Sequence, residues 1–574
     1  MRHRPLRNIR HLKLRQLIAL FVLLSFLALG SRSFAASNEG QLFDSSMGMG
    51  LNGISDWSSQ LPFIDLMKQA RSWKDWSDKA SKKTIHTDEN DWVTKLEPGQ
   101  TLGTVFLTSD KTPNYDRYIV FYEGDGTIEY QWSARKIKGN AKQKKDLIEV
   151  KKGSALLTIS KTNPDNPLRN IRIVAERHVN AFEAGQVFNP DWLQKISQFR
   201  ALRYMDWMKT NNSEPFEWQK RPKLENRTWR ANGVPLELIS MLSNETRSIP
   251  WINIPHWASA SFITEMAKVF KGTLDRGLPI YIEHSNEVWN WGFQQAQYAL
   301  KQGREIWDKE GNAYMQWHGM RTAEMCNAFK QGPFKDDSKR IICTLGLHTH
   351  WQGLEKASLE CPLWEKSPCV KHGFDAIAVT TYFHAQLNGP NRANKDSDAA
   401  LEIKALAKDP KGIKVAFERL NQGHKSRASG ELKVYPSLKK QIKEQTTYWA
   451  SVAKKHNLML VAYEGGQHIT ANGKALQDDS EVIDFHIAIN RSPMMKEAYK
   501  TLLSEWKSNG GGLHMHFVDI ANPSKWGSWG ALEDIHQDTS PKWDALTEFN
   551  QDHACWWSLC KKYPIKKQRP NAKP

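Results

Sequence analysis

Apolar and polar positions along this chain alternate in two textures, which change near residue 86 and again near residue 180. From about 181 onward, short apolar runs alternate with longer stretches of helical spacing. That is the pattern of strands and helices in a parallel α/β architecture. The runs are 201–205, 249–254, 278–283, 341–347, 374–380, 458–463 and 512–517. An eighth, 47–54, precedes the first change and is followed at 63–67 by helical spacing. Eight strands alternating with helices is the count of a closed (β/α)₈ barrel. An open doubly wound sheet is the competitor, but it carries a Gly-rich phosphate loop after a strand, and none follows any strand here.

Between 86 and 180 the runs shorten and become β-rich: 104–108, 117–122, 127–132, 146–150, 155–160 and 171–175. Gly124-Asp125-Gly126 reads as a hairpin turn between two of them. Short strands at this spacing predict a small β-sandwich. Barrel-like pattern lies on both sides of it. The fold class expected is therefore α/β, a TIM barrel with an inserted small β-sandwich after the first strand and helix. The expected organisation is a signal peptide at 1–35, the start of the barrel at 36–85 and the insertion at 86–180. The remainder of the barrel follows at 181–552, then a basic C-terminal tail at 553–574, in which 561–574 is expected to be disordered.

The first residues read as a targeting segment. Arg2, Arg4, Arg7, Arg10, Lys13 and Arg15 precede a nearly unbroken apolar run at 17–29, and Ser33-Phe34-Ala35 offers small residues for cleavage before Ala36. The run is short for a membrane span, so an uncleaved anchor is the lesser alternative. The expected destination is secreted or periplasmic. Export makes the six cysteines readable, because an even count in an exported chain favours disulfides. Cys361 with Cys369 would close a short Pro-bearing loop and Cys555 with Cys560 would pin the C-terminal segment, leaving Cys326 with Cys343. Spacing does not fix that connectivity.

Charge changes the picture less than its size implies. The formal net charge is +18, but seven Lys or Arg and no acids fall in 1–35, which leaves about +11 on the remainder. That balance suits an anionic envelope or an acidic polysaccharide, and equally an ordinary basic surface. No nucleic-acid-binding motif is present. Tryptophan is the unusual count, 24 against 22 phenylalanines and 14 tyrosines. Flat indole faces suit sugar rings, although a large core also consumes them.

In a (β/α)₈ barrel the active site forms where the strands end, in the loops that follow. Ionisable residues collect at those ends. Asp206 follows the second run, His256 the third and His284-Ser285-Asn286-Glu287 the fourth. His348 and His350 follow the fifth, Tyr382 and His384 the sixth, Glu464 the seventh, and His514, His516 and Asp519 mark the eighth. Hydrolysis of a glycoside needs a proton for the leaving oxygen and a negative group for the oxocarbenium-like carbon, which two carboxyls supply.

Two segments dominate, Tyr281-Ile282-Glu283-His284-Ser285-Asn286-Glu287-Val288-Trp289-Asn290 and Val461-Ala462-Tyr463-Glu464-Gly465-Gly466. With Asn-Glu at the end of strand four and a second Glu at the end of strand seven, the chain resembles clan A of the glycoside hydrolases. The first segment also resembles bacterial secreted cellulase-like or "cellulose-binding" proteins. The resemblance implies a retaining mechanism with Glu287 as acid/base and Glu464 as nucleophile. It implies that Asn286 binds the sugar 2-hydroxyl and that His256 lines the sugar site. Arg203 would keep Glu464 charged, Tyr382 would hold its rotamer, and Trp526 or Trp529 would floor the cleavage subsite, with Trp289 a further sugar contact.

Two other function classes compete. One is a non-catalytic carbohydrate-binding protein on the same scaffold. The other is a metal-dependent hydrolase built on His348-Thr349-His350 and His514-Met515-His516, whose alternate residues share a face. No carboxylate completes that spacing, so no metal or other cofactor is expected. Glu283 is a rival acid, or a partner to the true pair. The expected partner is a polysaccharide or oligosaccharide, with no nucleic acid, membrane contact only through an uncleaved signal segment, and a monomeric state.

Overall fold

Eight short strands of almost wholly buried residues close into a parallel barrel. The computed structural model describes residues 42–77, 82–109, 117–387, 398–426 and 432–569. The barrel strands are β1 (Met47–Gly50), β2 (Ala201–Arg203), β3 (Ile249–Ile254), β4 (Ile280–His284), β5 (Ile341–Gly346), β6 (Ala376–Phe383), β7 (Met459–Gln467) and β8 (His514–His516). Their hydrogen-bonded order is β2-β3-β4-β5-β6-β7-β8-β1, with β1 also pairing β2 to close the ring. Each strand packs on both faces, which is why each reads as a continuous apolar run rather than an alternating one. The helices around them include Leu236–Thr246, Ala260–Thr273, Ala313–Lys330, Leu438–Lys455 and Met494–Ser508.

The insertion is antiparallel β structure lying between β1 and β2. Its backbone is a long hairpin in which Gly126–Asn140 pairs with Lys145–Thr162. The other edge of the second strand is shared, with 145–149 pairing to Arg117–Glu123 and 153–159 to Leu102–Ser109. Two leaves thus diverge from one continuous hairpin, and Val120, Ile148 and Ile173 of one leaf join Leu102, Phe106 and Leu157 of the other in a single hydrophobic cluster.

Several local expectations are corrected. The runs 146–150 and 155–160 are one strand, because the exposed Lys151 and Lys152 interrupt the apolar pattern without breaking the pairing. Gly124–Gly126 turns the chain, but the strands on either side of it pair with Lys145–Thr162 and not with each other. The helical spacing at 63–67 yields one 3₁₀ turn, Leu66–Gln69, capped by the Asp65 carboxylate and packed into the core of the inserted sheet. The sheet takes its first strand from Lys74–Asp75, which pairs with 102–103.

All three expected disulfides are present, Cys326–Cys343, Cys361–Cys369 and Cys555–Cys560. Such bonds persist in oxidising compartments. The last of them pins the C-terminal segment as expected, but the order continues past 561, where disorder was expected. Ser558–Lys562 is helical, Ile565 is buried, and the buried Lys567 ammonium donates to the Thr246 carbonyl at 2.6 Å. A cation at the carbonyl end of Leu236–Thr246 satisfies oxygens that the helix itself leaves open.

The chain divides into two compact units, one at 43–567 and one formed by 1–42 with 568–574, of which only Leu42, Gln568 and Arg569 are described. The expected signal segment at 1–35 and the last five residues of the expected tail lie outside the described residues. Among the described residues no helix is long and apolar enough to cross a membrane.

Candidate active site

Arg203, the last residue of β2, organises the centre of the barrel mouth. Its side chain is buried, and its guanidinium donates to three carbonyl or carboxylate groups from two other elements. Nη1 donates to Glu464 Oε1 at 2.7 Å, and Nη2 donates to Glu283 Oε2 and Asn286 Oδ1 at 2.8 Å each. Burying a cation is costly unless it is paired and its donors are used. Two carboxylates and an amide oxygen meet that condition here.

Glu283 and Glu464 differ in what else they touch. Glu283 Oε2 also accepts from Trp251 Nε1 and Asn253 Nδ2, both at 2.8 Å. With its Oε2 held by these protein donors, Glu283 is a partner for Arg203. Glu464 has its second oxygen, Oε2, held by the Tyr382 hydroxyl at 2.9 Å. Tyr382 stands near the end of β6, so Glu464 is fixed from two sides by separate strands.

The backbone of β7 brings an additional side chain into the site. Val379 pairs with Ala462 and Thr380 pairs with Glu464, so Tyr463 is an extra residue, a β-bulge. In a regular strand Tyr463 and Glu464 would face opposite sides. Here Tyr463 donates its hydroxyl to Glu287 Oε1 at 3.2 Å while Glu464 meets Arg203. The Gly465-Gly466 pair that follows has a steric reason. A Cβ at Gly465 would lie 1.9 Å from the Thr381 hydroxyl and 2.7 Å from His514 Nε2. Gly466 has φ +127°, a region that side-chain-bearing residues avoid.

Glu287 comes from the loop after β4. Ser285 and Glu287 both hold left-handed backbone, φ +60° and +44°. Non-glycine residues rarely adopt it, and it persists where surrounding contacts enforce it. Those contacts are here: the Ser285 amide donates to the Ile254 carbonyl at 2.7 Å and Asn253 Nδ2 donates to the Ser285 carbonyl at 2.7 Å. Glu287 Oε2 accepts from Asn290 Nδ2 at 2.8 Å. Asn286, between the two, donates its amide to Asn211 Oδ1 at 3.0 Å, and Gln295 donates to the same oxygen at 2.8 Å.

The electrostatics separate the two glutamates. Burial, followed by the nearby Glu464 charge, pushes Glu287 up to about 8. Burial also raises Glu464, but the Arg203 cation and the Tyr382 hydroxyl oppose that rise. Glu287 is therefore the carboxyl that holds a proton near neutrality, and Glu464 is the one with a cation to balance its charge.

The remaining expected residues divide. Trp529 faces the site, its ring 6.1 Å from that of Tyr382 and 5.0 Å from that of His468. Trp526 instead stands 61% exposed and serves Trp529 through its carbonyl, which accepts from the Trp529 indole at 3.0 Å. Trp289 is half-buried against His348, ring centroids 4.2 Å apart. His256 packs on Tyr298 with its Nδ1 3.5 Å from Ser213 Oγ, in contact with neither glutamate; burial lowers its pKa to about 4.

The histidine pairs are absorbed by packing. His514 Nε2 lies 2.7 Å from the Thr381 hydroxyl, and His350 Nε2 lies 2.9 Å from Gln445 Nε2. Among the described residues no group of three or more His, Cys, Asp or Glu gathers as a metal site would require. Asp519, in the segment that follows β8, is engaged by the Asn52 amide and the Trp192 indole, both at 2.8 Å. Asn211, Asn253, Asn290, Gln295 and the hydroxyl of Tyr463 were not expected from sequence. No motif marks them: Asn253 lies on β3, Gln295 on the helix Gln294–Trp307, Asn211 and Asn290 in loops, and Tyr463 at the bulge.

No protein-family model matches the chain, and no curated protein matches it. Among solved structures it is similar to a modular endo-β-1,4-mannanase from Cellulomonas fimi of glycoside hydrolase family 26, at 8% identity and TM-score 0.30, over 61% of this chain and 62% of that one. A double mutant of a Cellulomonas fimi endo-β-1,4-mannanase gives 8% identity and TM-score 0.30 over 57% and 58%. This chain thus spans less than two-thirds of both mannanases. Thermotoga maritima Cel5A in complex with mannotriose gives 13% identity and TM-score 0.32 over 63% and 91%. At these scores the likenesses add nothing to the barrel, which its own strand pairing establishes.

Proposed function

We propose that this protein is an exported retaining glycoside hydrolase that cleaves β-glycosidic bonds of an extracellular or cell-envelope polysaccharide by double displacement. The observation that carries the reading is the unequal treatment of two carboxyls across one barrel mouth. Glu464 has one oxygen on Arg203 at 2.7 Å and the other on Tyr382 at 2.9 Å. Glu287 has only neutral donors, Asn290 and Tyr463, and a pKa pushed up to about 8.

In the first step Glu287 gives its proton to the leaving oxygen as Glu464 attacks the anomeric carbon, forming a glycosyl ester. That ester removes the Glu464 charge, the second-largest cause of the raised Glu287 pKa. Glu287 then becomes a stronger acid in the intermediate and stands ready, as a carboxylate, to take a proton from the attacking water. Glu283 keeps Arg203 neutralised while the ester exists. Asn286, oriented by Arg203 and Asn211, presents its amide toward the sugar, and Trp529 offers an aromatic wall.

The test uses a substrate found by screening a panel of β-glycans. Azide should restore turnover to Glu287→Ala and yield a glycosyl azide with the anomeric configuration of the substrate. With Glu464→Ala, azide should yield the opposite anomer. If either variant retains the parent rate without azide, or if the parent releases the inverted anomer first, the assignment fails.

A further inference from the structure

The inserted sheet carries an aromatic surface of its own. Trp76 and Trp132 are 40% and 56% exposed, and their rings meet 5.1 Å apart at 83°. Trp132 has φ +62° and sits where the hairpin register slips between Trp132 and Ala134. A bulge re-aims a side chain, and left-handed backbone at a bulky residue carries strain. Folding alone gives no reason to strain the backbone in order to hold an indole out in water.

A shallow groove of ≈ 620 Å³ runs beside Trp132, lined also by Arg135, Lys151, Lys152 and Ser154. Glu149 pairs with Arg135 at 2.7 Å and reaches Lys151 at 3.9 Å, so it balances one of three cations. Lys152 makes no ion pair among the described residues. A fourth cation, the Lys74 ammonium, lies 5.3 Å from the Trp76 ring centre. The groove is therefore aromatic and net positive.

It is also tied to the barrel mouth. Ser154 Oγ is 3.0 Å from the Thr108 hydroxyl, which donates to Asp56 Oδ2 at 2.9 Å. Asp56 lies in the loop that follows β1, on the face where Glu287 and Glu464 sit. The next residue, Trp57, is 53% exposed with the guanidinium groups of Arg71 and Arg230 5.6 and 4.9 Å from its ring centre. The two share the one Asp56 carboxylate, at 2.8 and 3.6 Å, which leaves a net positive charge beside the indole. A second aromatic platform flanked by cations thus stands at the catalytic end of the barrel.

We propose that the Trp76–Trp132 surface is a second glycan-binding site whose ligand is a polysaccharide of acidic sugars. Indole faces take the C–H faces of the sugar rings. Arg135, Lys151 and Lys152 take the carboxylates, and Trp57 with its two arginines continues the track toward the barrel mouth. The inserted sheet then holds polymer as well as supporting the barrel. This inference does not depend on the glutamates being catalytic, because it is read out by binding alone.

The test measures retardation of the full chain in native gels containing alginate, a polyuronate, with hydroxyethylcellulose as the neutral comparator and polyglutamate as a polyanion without sugar rings. Alginate should retard the protein more than either. Trp132→Ala should weaken alginate binding about tenfold, the scale of one lost aromatic anchor. Trp132→Phe, which keeps an aromatic face, should retain most of it, and Lys152→Gln should weaken it most at low salt, its difference from the parent shrinking as salt rises. Circular dichroism confirms that each variant is folded. The proposal is overturned if alginate does not retard the parent, if Trp132→Ala binds as the parent does, or if hydroxyethylcellulose or polyglutamate binds as tightly as alginate.

Discussion

Two arginine–carboxylate pairs of equal length sit in opposite settings. Arg203 meets Glu464 at 2.7 Å at the barrel mouth, with side-chain exposures of 2% and 8%. Arg135 meets Glu149 at 2.7 Å on the inserted sheet, with exposures of 68% and 24%. Water screens the second pair and leaves it little net worth. The first is shut away from water and shares its cation with Glu283 and Asn286, so losing any member leaves a buried charge uncompensated. Contact distance alone does not rank an interaction; the surrounding medium does. The barrel mouth confines charges to fix geometry, whereas the inserted sheet displays charges and indoles to solvent.

The largest expected effect comes from removing the proton held at the mouth. Glu287→Gln should lower turnover by about 10²–10⁴-fold, the range for a general acid–base group. The pH profile sharpens the assignment. Because Glu287 must start protonated and its pKa stands at about 8, parent activity should fall as pH rises through that value. The residual activity of Glu287→Gln should lack that alkaline limb. Stability moves in the same window. The unfolded carboxyl releases its proton near the ordinary glutamate range while the folded one keeps it to about 8. Between those values the folded carboxyl binds more protons, so the contribution of Glu287 to stability declines with rising pH. Denaturant midpoints of Glu287→Gln should decline less steeply than the parent's, since Asp206, Glu464 and Asp519 are also raised by burial and remain; an identical pH dependence in both proteins would break the assignment.

Next in size is Arg203→Met, which removes a cation and keeps the volume. It leaves Glu283 and Glu464 buried without their shared partner and should cost about 3–5 kcal/mol of unfolding free energy. Adding Glu283→Gln should recover part of that loss, since one stranded charge is then gone. If urea unfolding finds the single variant as stable as the parent, the mouth is wetter than its geometry implies.

The same contrast governs what could be read from sequence. The barrel strands were legible because burial on both faces writes a continuous apolar run, and Glu287 and Glu464 were legible because they follow such runs. Arg203 and Tyr382 also lie within or beside runs, and their partners could be guessed from charge. Tyr463 could not be assigned a contact, because alternation puts it on the wrong face and only the bulge corrects that. Asn211 reaches Asn286 through a loop whose path no periodicity records. On the inserted sheet, strand partners are set by distant pairing, so Gly124–Gly126 looked like a hairpin turn that is not one. Lys151 and Lys152 looked like a break because solvent, not a core, sets the pattern there. Trp526 and Trp529 are equivalent as letters, and only packing on Tyr382 and His468 distinguishes them.

The smallest expected effect is the counterpart of Arg203→Met on the inserted sheet. Arg135→Ala breaks an ion pair as short as the one at the mouth, yet it should change unfolding free energy by less than about 1 kcal/mol. Glu149 loses one cation but keeps water and Lys151, so no desolvated charge is stranded. Raising the salt concentration should shrink even this difference, because it screens exposed pairs and leaves buried ones largely intact. A double-mutant cycle of Arg135→Ala with Glu149→Gln isolates the pair itself. A coupling energy as large as that between Arg203 and Glu283 would show that the two regions do not differ in the way their exposure implies.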